Sequence, residues 1–268
     1  MRITDTQIHV WNSESASLAR SVLHRPLGPE AVLAEMDAAG VDRAAIIPPK
    51  SGANDFCLDF ANQHPDRLGV IYVVGLANPH HTALVANWSA RPSRVMGVRL
   101  TFPPWSTQSW LEDGTADWYW PEAARHAIPT MIWAPGQWHR IAAIAEKYPG
   151  LPIAIDHLGL RVDERTTELV TTIQTVIGMA ELPNICVKAT EVPNHSSEGY
   201  PHQDMSGHVK SVVDAFGPKR VFWGSDMTAL QTNYRQSVTM FTESMPWLGE
   251  TDKEWIMGKA ISEWLRWV

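Results

Sequence analysis

Cysteine is scarce in this chain of 268 residues, which contains only Cys57 and Cys186. Both lie in apolar segments, and the sequence has no CxxC pair. We therefore expect two buried thiols and no disulfide, a pattern typical of proteins that stay in the reducing cytoplasm.

Basic clusters and long apolar runs are also absent. The 22 lysine and arginine residues are outnumbered by 29 aspartate and glutamate residues, which gives a net charge of −7. Because phosphate contacts require clustered positive charge, we expect no nucleic-acid partner. No apolar run approaches the roughly 20 residues that span a bilayer, and the first residues, MRITDTQIHVW, lack the apolar core of a signal peptide. We therefore expect no membrane partner and a cytoplasmic location.

Glycine-rich phosphate-binding loops are missing as well. Neither GxGxxG nor GxxxxGK[ST] occurs, and the turn after the first predicted strand reads NSESAS. A doubly wound dinucleotide-binding sheet, the main competing α/β fold, would need a glycine-rich turn at that place. The sequence therefore argues against this fold.

Eight short apolar segments alternate with amphipathic helical stretches along the chain. Their continuous apolar character is typical of parallel strands that are buried on both faces. Eight such units predict an α/β protein with a single-domain (β/α)8 TIM barrel over residues 1–268. The predicted strands are Ile3–Trp11, Arg43–Pro48, Leu68–Val74, Val95–Leu100, Pro129–Ala134, Pro152–Asp156, Asn184–Ala189 and Arg220–Ser225.

Polar side chains gather where these predicted strands end. On the first strand, Gln7 and His9 are two residues apart and therefore face the same way. The carboxyl ends of the strands carry the active site in barrels of this kind, so these positions predict one shared site. Its other members are Arg99 on strand four, Asp156 and His157 on strand six, Lys188 to Glu191 on strand seven, and Asp226 on strand eight.

Each of these residues, taken alone, also has a structural explanation. His9 could be a buried core histidine, and Asp226 could be the N-cap of the next helix. Asp156 is better explained as a structural acid than as a catalytic one, and Lys188 or Arg99 could neutralise such an acid. The recurrence of polar residues at five strand ends favours a shared site over separate coincidences.

Four motifs, in this order and on these strands, resemble the amidohydrolase-related family. The resemblance extends from Asp5 to about Trp264 and therefore covers nearly the whole chain. It points to the second amidohydrolase group, which contains lactone hydrolases and nonoxidative decarboxylases on a TIM barrel. The motifs are Asp-x-x-x-His-x-Trp from Asp5, Gly-Val-Arg ending at Arg99, Ile-Asp-His-Leu-Gly from Ile155 and Trp-Gly-Ser-Asp ending at Asp226.

The resemblance also raises the question of a metal. Family members that hold a divalent cation use His-x-His on strand one, the strand-six histidine and the strand-eight aspartate, which here are Gln7, His9, His157 and Asp226. A glutamine oxygen is a poor zinc ligand beside imidazole, and no histidine or lysine stands where a second metal would need one. Because some lactonases of the family work without metal, we expect no cofactor. A single zinc or manganese ion on His9, His157 and Asp226 is the alternative.

These residues lead to the hypothesis that the protein hydrolyses a lactone or related cyclic ester bearing a carboxylate or an aromatic ring. Asp226 would be the general base that activates water, with a pKa raised by its surroundings. Gln7, His9 and His157 would polarise the carbonyl by hydrogen bonding. The small-molecule substrate would contact Arg99, which suits a carboxylate, an aromatic wall and strand seven. The wall would comprise Trp105, Trp133 and Trp138, and the contacts from strand seven would be Lys188 and Glu191.

Two other functions stay open at this point. A nonoxidative decarboxylase of an aromatic or unsaturated acid would need bound zinc or manganese. A non-catalytic descendant that only binds a ligand is conceivable because the first histidine of strand one is missing. A homodimer is compatible with such a barrel, although no feature of the sequence indicates one.

Overall fold

The structure is a computed structural model, and it describes residues 1–16, 25–162, 164 and 166–267. Eight parallel strands form one sheet in the order β1 to β8, in which each strand pairs with its neighbours in the sequence. The predicted (β/α)8 barrel is confirmed, and every predicted strand overlaps an observed one. The strands are β1 (Thr4–Ile8), β2 (Arg43–Ile46), β3 (Leu68–Val73), β4 (Val95–Thr101), β5 (Thr130–Trp133), β6 (Ile153–Ile155), β7 (Ile185–Thr190) and β8 (Val221–Gly224).

Helices alternate with the strands and begin and end at recognisable local signals. The second helix starts with a proline in its first turn and is followed by Gly40, whose φ of 76° lies in the left-handed region that ends many helices. The described helices are α1 (Ser13–Ala16), α2 (Pro29–Ala39), α3 (Asn54–Gln63), α4 (Pro79–Ala86), α5 (Tyr119–Arg125), α6 (Trp138–Lys147), α7 (Thr166–Ile177), α8 (Gln203–Phe216), α9 (Tyr234–Thr242), α10 (Glu250–Glu254) and α11 (Ala260–Trp264). None of them, within the described part of the chain, is long and apolar enough to cross a membrane.

Apolar side chains fill the barrel below the strand carboxyl ends. One buried cluster joins side chains of the barrel interior to the C-terminal segment, residues 255–267. Its fully buried barrel members include Ile47, Ile71, Met131 and Phe222. A π-helical turn in this segment brings Gly258 against the backbone just before β1, at the amino end of the barrel.

The carboxylate of Asp5 links the last strand to the first. It accepts hydrogen bonds from the Ser225 N–H at 2.9 Å, from the Gln7 N–H at 2.9 Å and from the Tyr234 hydroxyl at 2.7 Å. The Asp226 N–H also donates to the Gln7 carbonyl at 2.9 Å. These hydrogen bonds between β1 and the residues that follow β8 place the side chains of Gln7 and Asp226 next to each other. Both cysteines are buried and free, as expected.

Candidate active site

Three residues just beyond β6, β7 and β8 have an unusual backbone conformation. His157, Glu191 and Asp226 have φ values of 55°, 61° and 53°, in the left-handed region. Such values are uncommon for residues other than glycine, cost about 1–3 kcal/mol each and tend to occur at functional sites. The side chains of all three residues line the same cavity.

The cavity has a volume of about 260 Å³ and opens at the carboxyl ends of the strands. Trp105 and Trp133 form its aromatic wall, with ring centroids 5.4 Å apart. The Trp105 side chain comes from the long loop after β4 and is 57% exposed. Trp138, expected in the same wall, is buried, and its indole N–H donates to the Gly159 carbonyl. Trp138 therefore supports the loop after β6 and does not line the cavity.

Asp226 stands between His9 and Gln7. Its Oδ1 lies 3.3 Å from His9 Nε2, and its Oδ2 accepts a hydrogen bond from Gln7 Nε2 at 2.8 Å. His9 Nδ1 lies 2.7 Å from the carbonyl oxygen of Ile47, which can only accept, so Nδ1 carries a proton. The other ring nitrogen of His9, Nε2, faces the Asp226 carboxylate.

The pKa of Asp226 differs from the sequence-based expectation. Burial acts to raise this pKa, but the charge and hydrogen bond of His9, together with the charge of Arg99, outweigh burial and lower it below the usual range. The expectation of a raised pKa was wrong because it considered burial without the cations that the fold brings together. Asp226 is therefore ionised at neutral pH.

Lys188, Asp156 and Arg99 form a buried ion network behind the cavity. Lys188 Nζ donates to Gln7 Oε1 at 2.5 Å and to Asp156 Oδ1 at 2.7 Å, and Arg99 Nε donates to Asp156 Oδ2 at 2.8 Å. Burial would raise the pKa of Asp156, but Lys188 and Arg99 lower it to about 2. These contacts accord with the explanation of Asp156 as a structural acid that Lys188 and Arg99 neutralise. Arg99 also lines the cavity, whereas Lys188 is fully buried and is not placed to touch a substrate.

Gln7 is likewise fully buried and is absent from the cavity wall. Its amide nitrogen lies 2.8 Å from Asp226 Oδ2 and 3.4 Å from His157 Nε2. The geometry therefore gives Gln7 contacts to catalytic candidates rather than to a carbonyl group of the substrate. His9 and His157 do line the cavity, as expected.

Glu191 and His157 form a second pair of side chains at the cavity wall. His157 Nδ1 lies 2.9 Å from Thr190 Oγ1 and 3.4 Å from Glu191 Oε2, and Glu191 Oε1 accepts from Asn194 Nδ2 at 2.6 Å. Burial lowers the pKa of His157 to about 3, whereas burial and the charge of Asp226 raise the pKa of Glu191 to about 8. His157 is therefore uncharged at neutral pH, and Glu191 keeps its proton to a higher pH than an ordinary carboxyl group does. Sequence reasoning missed Asn194, whose only signal is its position three residues after Glu191.

One group of metal-ligand type lies in this cavity. Single ligand atoms of His157, Glu191 and Asp226 lie within 4.8 Å of one another, so Glu191 takes the place expected of His9. Each residue that ligates a divalent cation must offer the cation a lone pair. Gln7 instead presents an N–H group to Asp226, because its oxygen is bound by Lys188. The strand-one position therefore does not fit a metal ligand set.

Histidine and aspartate side chains at the strand carboxyl ends of a nearly closed parallel barrel are the arrangement typical of amidohydrolases. The sequence model of the amidohydrolase family matches residues 4–266, and the chain belongs to this family. The resemblance carried by its four motifs is thus confirmed, and the protein is a hydrolase of that superfamily.

Three known proteins illustrate the similarity. The L-fucono-1,5-lactonase of Burkholderia ambifaria is 24% identical over 238 residues, which cover 83% of this chain and 79% of that protein. The crystal structure of a Burkholderia multivorans amidohydrolase with bound zinc matches with a TM-score of 0.81 and 18% identity over 99% of both chains. The crystal structure of a probable 2-pyrone-4,6-dicarboxylic acid hydrolase from Acinetobacter baumannii, with citric acid bound, matches with a TM-score of 0.78 and 15% identity over 100% of both chains. The two structural matches establish a shared fold.

Proposed function

We propose that the protein hydrolyses a lactone, or a related cyclic ester, that carries a carboxylate or an aromatic ring. The observation that carries this proposal is the ionised carboxylate of Asp226, held by His9 and Gln7 at the wall of a cavity that also presents Arg99. The similarity to a lactonase and to a pyrone hydrolase supports it, since both names describe proteins that act on cyclic esters.

Asp226 is the general base of the proposed reaction. It takes one proton from water while the water oxygen bonds to the carbonyl carbon, and the ring C–O bond then breaks. The proton passes from Asp226 to the released ring oxygen, which gives a hydroxy acid. A carboxylate with a lowered pKa is a weak base, so the reaction needs a reactive carbonyl. The strained carbonyl of a lactone, whose leaving group stays attached, meets this need better than an amide does.

His9 lines the cavity beside Asp226, and we assign it to polarise the substrate carbonyl. Each hydrogen-bond donor to the developing negative charge is worth roughly 2–4 kcal/mol in a dry site. Gln7 and His157, which we expected to polarise the carbonyl, act instead through Asp226: Gln7 holds the carboxylate, and neutral His157 packs beside it.

Arg99 and the tryptophan pair define the substrate. The Nε edge of the Arg99 guanidinium is bound by Asp156, which leaves its other nitrogens for a substrate carboxylate. Trp105 and Trp133 present a tilted aromatic surface against which a ring can pack. Glu191 lines the same cavity and is a further substrate contact. The reaction uses no metal or other cofactor, and the two free thiols accord with a cytoplasmic location.

Lactone turnover tests this proposal directly. We would follow proton release by the purified protein with a panel of acidic, aromatic and sugar lactones, and we expect turnover of at least one acidic or aromatic member. Saturable binding without turnover across the panel would instead identify a non-catalytic ligand-binding protein. Release of carbon dioxide from carboxylated aromatic or unsaturated acids, with no lactone turnover, would identify the metal-dependent decarboxylase.

A further inference from the structure

We propose that Lys188 is a positioning residue for catalysis. It fixes the direction in which the Gln7 carboxamide faces, and through Gln7 it fixes which ring nitrogen of His157 carries the proton. The effect on turnover rests on the proposed lactone hydrolysis, whereas the effect on His157 does not. No atom of Lys188 lines the cavity, so it acts only through its neighbours.

The orientation of Gln7 follows from the chemistry of an ammonium group. Lys188 can only donate, and it is held between Asp156 Oδ1 at 2.7 Å and the Gln7 carboxamide at 2.5 Å. The atom of Gln7 that faces it must accept, and this atom is Oε1. The opposite orientation would bring the Gln7 N–H2 group against the ammonium and the Gln7 oxygen against the Asp226 carboxylate. Both contacts would then be repulsive, so a single orientation remains.

The nitrogen of the Gln7 carboxamide then determines the tautomer of His157. With Oε1 bound to Lys188, the two N–H groups of Gln7 face Asp226 Oδ2 at 2.8 Å and His157 Nε2 at 3.4 Å. His157 Nε2 must offer a lone pair to such a neighbour, and in the neutral ring the proton then sits on Nδ1. That nitrogen lies 2.9 Å from Thr190 Oγ1, which can accept it.

This tautomer matters because His157 stands at the cavity wall beside the proposed base. With its proton on Nδ1, the ring offers a hydrogen-bond acceptor on the side of Asp226, where the attacking water gives up its proton. With its proton on Nε2, the ring would present a donor there and compete for the Asp226 carboxylate. Lys188, although remote from the substrate, thereby keeps two acceptors together at the place where water is activated.

A double-mutant cycle tests the link to turnover. We would compare Lys188→Met, Gln7→Met and the double variant on the lactone that wild type turns over best. Lys188→Met should lower kcat about tenfold or more with little change in KM, and it should have almost no further effect in the Gln7→Met background. An equal loss of kcat in both backgrounds would show that Lys188 acts independently of Gln7 and would overturn the proposal. Lys210→Met on α8 is the matched surface control.

The tautomer of His157 provides a readout that does not need activity or a foldable Lys188 variant. We would label histidine with ¹⁵N and assign the His157 signals by comparison with His157→Gln. Wild type should show the proton on Nδ1, and Gln7→Met, which leaves the Lys188–Asp156 pair intact, should lose this preference. A proton on Nε2 in wild type would overturn the proposal. A protein with the expected tautomer but no lactone turnover would refute the proposed function and leave the positioning role standing.

Discussion

The carboxamide nitrogen of Gln7 lies 2.8 Å from Oδ2 of Asp226 and joins the first strand of the barrel to the residue that follows the last. This donor is neutral, and its hydrogen bond adds to the charges of His9 and Arg99 that lower the pKa of Asp226. The fold keeps it there by burial and by the hydrogen bond from Lys188 to the Gln7 oxygen. Polar contacts thus continue through the candidate site from His9, beside Asp226, to Arg99, beside Asp156.

Replacement of Asp226 should abolish most of the turnover. Asp226→Asn keeps the shape and an acceptor for Gln7 but removes the proposed base, so we expect kcat to fall at least ~100-fold, a size typical of general-base loss. Proton release during lactone hydrolysis measures this change. Asp214→Asn, an exposed aspartate on α8, is the control and should retain wild-type kcat. Near-normal turnover by Asp226→Asn would assign the base to another residue.

Arg99 should discriminate in favour of acidic substrates. In Arg99→Lys, a single ammonium can bind Asp156 but cannot also present a second pair of donors to the cavity. We expect kcat/KM for carboxylate-bearing lactones to fall about 10- to 100-fold, as the loss of a charge-assisted hydrogen bond implies, and kcat/KM for neutral lactones to change little. Arg140→Lys at the surface is the control. Equal losses for acidic and neutral lactones would refute a carboxylate contact.

Two tryptophans should respond in opposite ways to truncation. Trp105 is 57% exposed and packs on Trp133, so Trp105→Ala should raise KM for ring-bearing substrates about 2- to 10-fold and leave the free energy of unfolding unchanged. Trp138 is buried, so Trp138→Ala should lower the free energy of unfolding by about 3–5 kcal/mol. Denaturant unfolding and steady-state kinetics on both variants separate the two effects. An unchanged KM in Trp105→Ala would remove it from the substrate wall.

Glu191 should make stability depend on pH. Its folded-state pKa of about 8 lies above the ordinary 4.5, so its favourable contribution is complete below pH 4.5 and is lost as the pH rises through about 8. The free energy of unfolding of wild type should therefore fall between these limits, and that of Glu191→Gln should fall less. Denaturant unfolding at several pH values measures the difference between the two proteins. If the free energies of unfolding of wild type and Glu191→Gln changed in parallel with pH, a raised pKa of Glu191 would be contradicted. Glu250→Gln at the surface is the control.

The fold was predictable because the local sequence pattern indicates each strand. Segments such as the one over β3 are short, continuously apolar and bounded by polar residues, and the spacing of Gln7 and His9 places both side chains on one face. The part of the site that was predictable is the set of polar residues at the carboxyl ends of the strands, because strand order alone brings these residues together.

The features of the site that could not be predicted depend on how deeply each side chain is buried and on the direction in which it points. The full burial of Lys188 and Gln7, and hence their bond to each other, follows from packing across the barrel. The lowered pKa of Asp226 depends on distances to cations on other strands, and sequence spacing contains none of these distances. The same holds for Trp138, whose adjacency to Trp133 in the sequence suggested a shared wall.

The rate of lactone hydrolysis after exhaustive chelation is the most direct measurement of how this site works. We would assay proton release by protein purified without chelators, then by the same protein stripped of metal, and finally after addition of zinc or manganese. We expect less than ~0.1 equivalents of bound metal in the first sample, because Gln7 presents an N–H group at the strand-one ligand position, and the same rate in all three. Loss of turnover on stripping, with recovery on adding zinc or manganese, would contradict a hydrolase built on Gln7, His9 and Asp226 alone.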